Sequence, residues 1–326
     1  TPMILTQPIL RKALDRARAR DHFIHLLRCS FGLLFLIGAN LVKGKVADHS
    51  LFIKSDSSLH GMGMNHKGQL GTADNTDRNS STQIVASGIT QVALGYYHSL
   101  FLKSDGSLHA MGYNNYGQLG TGNTADRNSP TQIVASSVVQ VAAGADHSLF
   151  LKLDGSLHGM GKNTSGELGT GNTTDRNSPT QIVGSGVAQV AAGGFHSLFL
   201  KSDGSLHAMG SNNFGQLGTG NTTQQNSPVQ ILSSGVVQVA VGFQHSLFLK
   251  SDGSLHAMGR NNEGQLGAGD TTQRNSPVQI VSSGVVQVAA GANHSLFIKS
   301  DGSLHAMGQN NNGQLGTGNT TDKNSP

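Results

Sequence analysis

Histidine is the residue of this 326-residue chain best equipped for chemistry, and its placement is periodic. His49, His98, His147, His196, His245 and His294 follow one another at a fixed interval of 49 residues. His60, His109, His158, His207, His256 and His305 do the same. Neutral imidazole is a common metal ligand, so two such series raise the question of zinc. Ligands of one zinc sit roughly 3.4 Å apart, given bonds of about 2.1 Å. If Asp105-Gly106 is a two-residue turn, Leu102 faces His109, and His98 and His109 share one face of a hairpin. They would then stand about 13 Å apart, at about 3.3 Å per residue. Equivalent histidines of successive repeats point the same way and do not converge. The histidines therefore read as packing, and no metal or other cofactor is expected.

Other chemistry is equally hard to assemble. Asp77, Asp126, Asp175 and Asp322 are isolated acids without the dense pattern of a calcium loop. No unrepeated His, Asp, Ser or Glu constellation, phosphate loop or nucleophile elbow is present, so an enzyme is not expected.

The histidines belong to a unit of four short strands. Val138–Ala143 is a β-branched run closed by Gly144, and His147–Lys152 follows it. Asp154-Gly155 is a strong hairpin signal, since a tight turn needs positive φ. Leu157–Gly161 comes next, then a Gly, Asn and Thr-rich loop, then Pro179–Val183 as an outer strand that tolerates proline. Four strands joined in order make an antiparallel meander. In the two-residue register, His98, Leu100, Leu102, His109 and Met111 lie on one face and Phe101, Leu108 and Ala110 on the other. Both faces are apolar, so the sheet must be covered on both sides. Sheets that cover one another radially form an all-β propeller with four-stranded antiparallel blades.

The string HSLFLKSDGSLHAMGxNxxGQLG, followed by NSP and VVQVAAG, resembles the repeats of the regulator of chromosome condensation family. GQLG or GELG falls in place six times, opened by Gly68, Gly117, Gly166, Gly215, Gly264 and Gly313. The resemblance covers roughly residues 46–326 and implies a seven-bladed propeller. Six 49-residue repeats are present. The first lacks its opening strand and the sixth stops at Pro326, where its last strand should begin, so the array is expected to continue beyond that residue. The family usually has tryptophan where His60 and its five equivalents stand, and this chain has no tryptophan. That rules out a light-sensing role of the kind the plant ultraviolet-B receptor performs.

Residues 1–45 differ in kind. They carry Arg11, Lys12, Arg16, Arg18, Arg20, Arg28, Lys43 and Lys45 against Asp15 and Asp21, and then an apolar run, Cys29–Val42. A basic region before a short apolar core reads as a secretory signal peptide, too short to span a bilayer. The expected location is secreted or periplasmic, or cytoplasmic if this segment is not a signal. The net charge of +4 comes from it, because residues 46–326 hold fourteen Lys or Arg and sixteen Asp or Glu. A mildly acidic propeller lacks the basic footprint of a nucleic-acid binder. The one cysteine, Cys29, lies in the leader, so no disulfide framework exists in the repeats.

Binding is read from where the repeats disagree. The pair before the first histidine varies, and so do the residues after the glycine that ends the third strand. In a meander these two loops leave the blade at the same end. All four tyrosines lie there, Tyr96, Tyr97, Tyr113 and Tyr116, with Phe195, Phe214, Phe243, Asp146, Lys162, Arg260 and Glu263. Tyrosine, phenylalanine and arginine are favoured at protein interfaces. Drift at unconstrained loop positions is the competing explanation. The chain is expected to be a monomeric, non-enzymatic propeller that binds a protein through this face, with no nucleic acid and no membrane in its mature form. A secreted bacterial β-lactamase inhibitor of the same fold is the precedent by resemblance. The alternative implied by the resemblance is nucleotide exchange on a small GTPase. That role uses an inserted wedge, and the five unbroken 49-residue intervals between the six repeats leave no insertion.

Overall fold

The computed structural model describes residues 24–28, 34–38 and 48–326. Ile24–Arg28 and Leu34–Gly38 pair as a separate two-stranded antiparallel sheet. The rest of the segment read as a signal peptide, including its cleavage region, lies outside the described residues.

From His49 onward every regular element is a β-strand. One blade shows the plan: Val138–Ala143, His147–Lys152, Leu157–Gly161 and Arg176–Val183 are hydrogen-bonded in that order, all antiparallel. The first three have the expected bounds. The fourth starts at Arg176 rather than at Pro179. Its early residues are held from the blade before, where the Gly122 amide donates to the Asn177 carbonyl at 2.8 Å. Four complete blades of this kind are flanked by two three-stranded sheets, one beginning at His49 and the other ending at Gly308. A single bridge from Gly308 to Lys323 marks the start of the last outer strand.

The hairpin register differs from the sequence expectation. Leu102 faces Leu108, and Phe101 faces His109. The turn holds three residues, Ser104, Asp105 and Gly106, closed by Lys103 N–H to Ser107 O at 3.0 Å. Asp105 accepts the Ser107 amide at 2.8 Å, and Gly106 takes φ +77°, a left-handed position that glycine occupies without strain. This is the longer hairpin with a bulge rather than the two-residue turn. One residue of slip exchanges the faces. Phe101 and His109 therefore stack on one face, 5.0 Å apart and nearly parallel, with Met111 beside them. His98, Leu100 and Leu102 lie on the other face with Leu108 and Ala110. The distance argument about zinc falls with the old register, because His98 and His109 occupy opposite faces.

Both faces are covered, as expected. Leu100, Leu102, Leu108 and Ala110 of one blade pack against Val138, Val141, Phe150 and Met160 of the next. The same seam recurs around the disc. Phe101, Phe150, Phe199, Phe248 and Phe297 are at most 1% exposed, each stabilising by about 1.5–3 kcal/mol. Phe52 lies on the outward face of the first described blade and is only half-buried.

Two polar devices reinforce the seams. On the innermost strands, Gln140 reaches the next blade, donating to Val190 O at 3.2 Å and accepting from Val190 N at 3.1 Å. Gln238 does the same to Val288. These glutamines satisfy backbone groups that an edge strand would leave open. The first histidine series forms the second device. His98 meets Ser148 of the next blade at 3.0 Å, and the Ser148 hydroxyl donates to the Gln118 carbonyl at 2.7 Å. With that proton committed, His98 must donate through Nε2. Its Nδ1 accepts no hydrogen bond. The ring lies against Gly95, where a Cβ would stand 2.1 Å from His98 Cε1 and 2.6 Å from the Gly144 carbonyl. Only glycine leaves room there.

Candidate functional site

The two variable loops of each blade are tied together by backbone. Tyr113 N–H donates to Tyr97 O at 2.8 Å, and Lys162 N–H to Asp146 O at 2.9 Å. Ser211 to Phe195 and Arg260 to Gln244 repeat the link at 2.8 and 2.9 Å. Variable side chains of one blade are therefore neighbours at one end of its sheet. Blade joins blade at the same level, through Tyr96 N–H to Ala145 O and Gly194 N–H to Phe243 O, both 3.1 Å.

The side chains form a closed circuit. Phe195 meets Phe243 edge-on at 5.2 Å, and Phe243 stacks on Tyr96 at 5.8 Å. Tyr96 continues to Tyr97 at 6.4 Å, Tyr97 to Tyr113 at 6.2 Å and Tyr113 to Tyr116 at 6.2 Å. Lys162 closes the loop, its ammonium 4.8 Å from the Tyr116 ring and 5.3 Å from the Phe195 ring. Tyr96 and Phe243 come from blades separated by two others, so the circuit spans the centre of the disc. The depression there, floored by Gly144, Gly193 and Gly194, has a volume of about 20 Å³. That suits a water-sized group rather than a small-molecule ligand.

Asp146 pairs with the circuit's Lys162, 3.8 Å from its ammonium. Burial holds its carboxyl above the usual range, with Lys162 pulling the other way. Burial also raises the Tyr96 phenol, and the charge of Asp146 adds to the effect. Phe214, Arg260 and Glu263 form a second group: Arg260 lies 5.6 Å over the Phe214 ring and donates to Glu263 and Gln244 at 3.0 Å each. Gln244 follows Phe243, which joins the two groups. All eleven residues selected from the sequence are half-buried. Seven of them form the circuit, Asp146 pairs with its lysine, and three form the second group.

Several residues of this face were not selected. Lys67 lies 5.2 Å over the Tyr113 ring and 4.0 Å from Asp126. It precedes Gly68 as Tyr116 precedes Gly117, so the repeat alignment itself was the missed signal. Beneath the loops, Asn114 receives the Leu119 amide at 2.9 Å and donates to Thr121 and to two loop carbonyls. Asp126 accepts the Asn114 amide at 2.8 Å, which explains this series of isolated acids as loop staples. Gln118 accepts the Tyr116 amide at 3.0 Å. Glu167 replaces that glutamine in the third repeat; it is fully buried, its Oε1 has no partner, and burial raises its carboxyl. Among the described residues no group of three or more His, Cys, Asp or Glu is placed to hold a metal ion.

The fold has close counterparts. The structure of human WBSCR16 superposes with a TM-score of 0.77 at 26% identity, covering 90% of this chain and 83% of the other. Prp20p from Saccharomyces cerevisiae superposes with a TM-score of 0.76 at 23% identity, covering 91% and 76%. Yeast RCC1 (Prp20), as bound by Kap60, gives 0.77 at 23% identity, covering 91% and 74%. No curated protein sequence matches significantly. The RCC1-like domain model matches residues 47–326, nearly the whole of the repeat array. With its 49-residue meanders and its GQLG series, this chain belongs to the RCC1-like domain family.

Proposed function

We propose that this chain is a protein-binding propeller that catalyses no reaction and acts through the face bearing the aromatic circuit. The observation that carries this reading is the circuit itself: six aromatic rings and a lysine from four blades, gathered at one end of the disc. Large rings on short, backbone-tied loops give contact area at low entropic cost, as in antibody binding loops. The small central depression favours a macromolecular partner over a metabolite. Prp20p is described by its binding to Gsp1p and histones, and it has been seen with Kap60, so a propeller of this build can serve as a docking surface. The exchange-factor alternative finds no support in an inserted wedge, since the repeats run at unbroken intervals.

The setting is proposed to be secreted or periplasmic, on the strength of the basic and apolar order in residues 1–45. N-terminal sequencing of the protein from its producing cell tests this: a start near Lys45 or Asp48 supports export, and an intact N-terminus in the cytoplasm excludes it. For binding, the test replaces Tyr96, Tyr97, Tyr113 and Tyr116 by alanine. A folded variant that no longer captures the wild-type partner supports the reading. Undiminished capture leaves drift as the explanation of the tyrosines.

A further inference from the structure

We infer that the aromatic circuit binds a proline-rich segment of the partner, held in the extended polyproline II conformation. This rests on the protein-binding reading and names the chemistry of the segment bound.

The charges of this face are already matched. Lys162 stands 3.8 Å from Asp146, Lys67 stands 4.0 Å from Asp126, and Arg260 donates to Glu263 at 3.0 Å. Lys162 and Lys67 also lie over the Tyr116 and Tyr113 rings. A ligand therefore gains little by bringing charge. What the circuit offers is ring surface: six half-buried rings in successive contacts of 5.2–6.4 Å. Most neighbours meet edge-on, at 63–78°, which gives ridges and shallow slots rather than one flat wall.

The hydrogen-bonding groups left over are of one kind. The Tyr96, Tyr97 and Tyr116 hydroxyls have no partner among the described residues, and none of them is shut off from solvent. The backbone, by contrast, is spent. The Tyr97, Ala145 and Phe243 carbonyls accept from Tyr113, Tyr96 and Gly194, and the Tyr116 and Phe243 amides donate to Gln118 and Ala292. A segment laid here finds hydroxyl donors for its carbonyls but few acceptors for its own N–H groups. A covered N–H without an acceptor is costly. Proline has no N–H to lose, and polyproline II leaves every carbonyl free to accept. Its rings pack on aromatic side chains, the mode by which aromatic-lined surfaces take such segments. The rival modes fit worse. Strand addition needs a sheet edge, whereas the circuit caps the ends of the strands. A helix needs a groove for its anchors, and the central depression measures about 20 Å³.

The chain supplies its own reporter. It has four tyrosines and no tryptophan, and all four tyrosines are in the circuit, so ultraviolet emission reads this site directly. The full chain is titrated with capped decaproline and with a capped decapeptide of alternating glycine and serine, which carries an N–H at every residue. Decaproline should change the emission saturably, as strongly in high salt as in low, and the glycine-serine peptide should not. Tyr96→Phe, Tyr97→Phe and Tyr116→Phe together keep the rings and remove the three hydroxyls. With Tyr113 left to report, that variant should bind decaproline about tenfold more weakly or worse. A melting curve establishes its folding; if it does not fold, the two peptides on the parent chain still decide. Absence of saturation by decaproline overturns the inference, as does an equal response to both peptides, loss of the response in salt, or undiminished binding by the folded variant. None of those outcomes touches the capture experiment with the alanine variant, so the two readings fail separately.

Discussion

Gly95, Tyr96, Tyr97 and His98 are consecutive, yet they belong to two different parts of the molecule. Gly95 and His98 build the seam between blades, where the imidazole lies on a bare backbone and bonds to the next blade's serine. Tyr96 and Tyr97 stand on the surface circuit. The outer pair recurs in repeat after repeat, as at Gly144 and His147, while the pair between becomes Ala145-Asp146, Gly194-Phe195 or Phe243-Gln244. The seam accepts one solution because both partners are backbone-close. The surface accepts many because backbone hydrogen bonds, rather than side chains, set the loop. A propeller of this kind can change what it binds without changing how it closes.

The sharpest way to break the comparison is to mutate the two sides of one loop. Gly144→Ala would place a Cβ 2.1 Å from His147 Cε1 and 2.6 Å from the Gly193 carbonyl. A loss of about 2–4 kcal/mol is expected in denaturant unfolding. A change as small as that of a surface variant would mean that the seam is looser than described.

Acid offers a second attack on the seam alone. Burial holds His98, His147, His196 and His245 at about 3, and His294 at about 4. In the unfolded chain they titrate near 6.5, so below that pH the unfolded state binds more protons. Stability is full above about pH 6.5 and falls as pH is lowered toward the folded values. By pH 5 each histidine contributes a loss on the order of 2 kcal/mol. Asp146 and Glu167, raised by burial, act in the opposite sense, but nearer the carboxylate range. Melting temperature followed from pH 7.5 to 5 should drop steeply. A flat profile would contradict neutral, buried imidazoles.

Ser148→Ala is a milder cut. It leaves the Nε2 donor of His98 without its acceptor, and about 1–3 kcal/mol should be lost. At the small end, Lys67→Ala removes an exposed pair with Asp126 and a ring contact, and should stay within about 0.5 kcal/mol of the parent.

Much of the fold was legible because the repeat aligns with itself. Strand order, the bounds of the first three strands of a blade and the sharing of one face by the variable loops follow from periodicity and turn residues; the early start of the fourth strand does not, because it is set by bonds from the preceding blade. The register did not follow. Asp105-Gly106 fits a two-residue turn as well as the end of a three-residue one, and the choice is made by the Asp105 bond to the Ser107 amide. That one-residue difference misassigned the faces of Phe101 and His109. The site was legible as a set of positions but not as a circuit. Tyr96 and Phe243 are 147 residues apart in the chain, and their stacking depends on how blades converge on the axis. The inter-blade glutamines, such as Gln140, stood in every inner strand, but a polar residue in an apolar run carries no hint of its partner.

The central claim is that the circuit binds while the seam folds. Its most direct test measures melting and partner capture on the same sample of the variant with Tyr96, Tyr97, Tyr113 and Tyr116 changed to alanine. A melting curve close to the parent's together with lost capture is the result this account predicts. Unchanged capture by a folded variant, or collapse of the fold with the tyrosines, would contradict it.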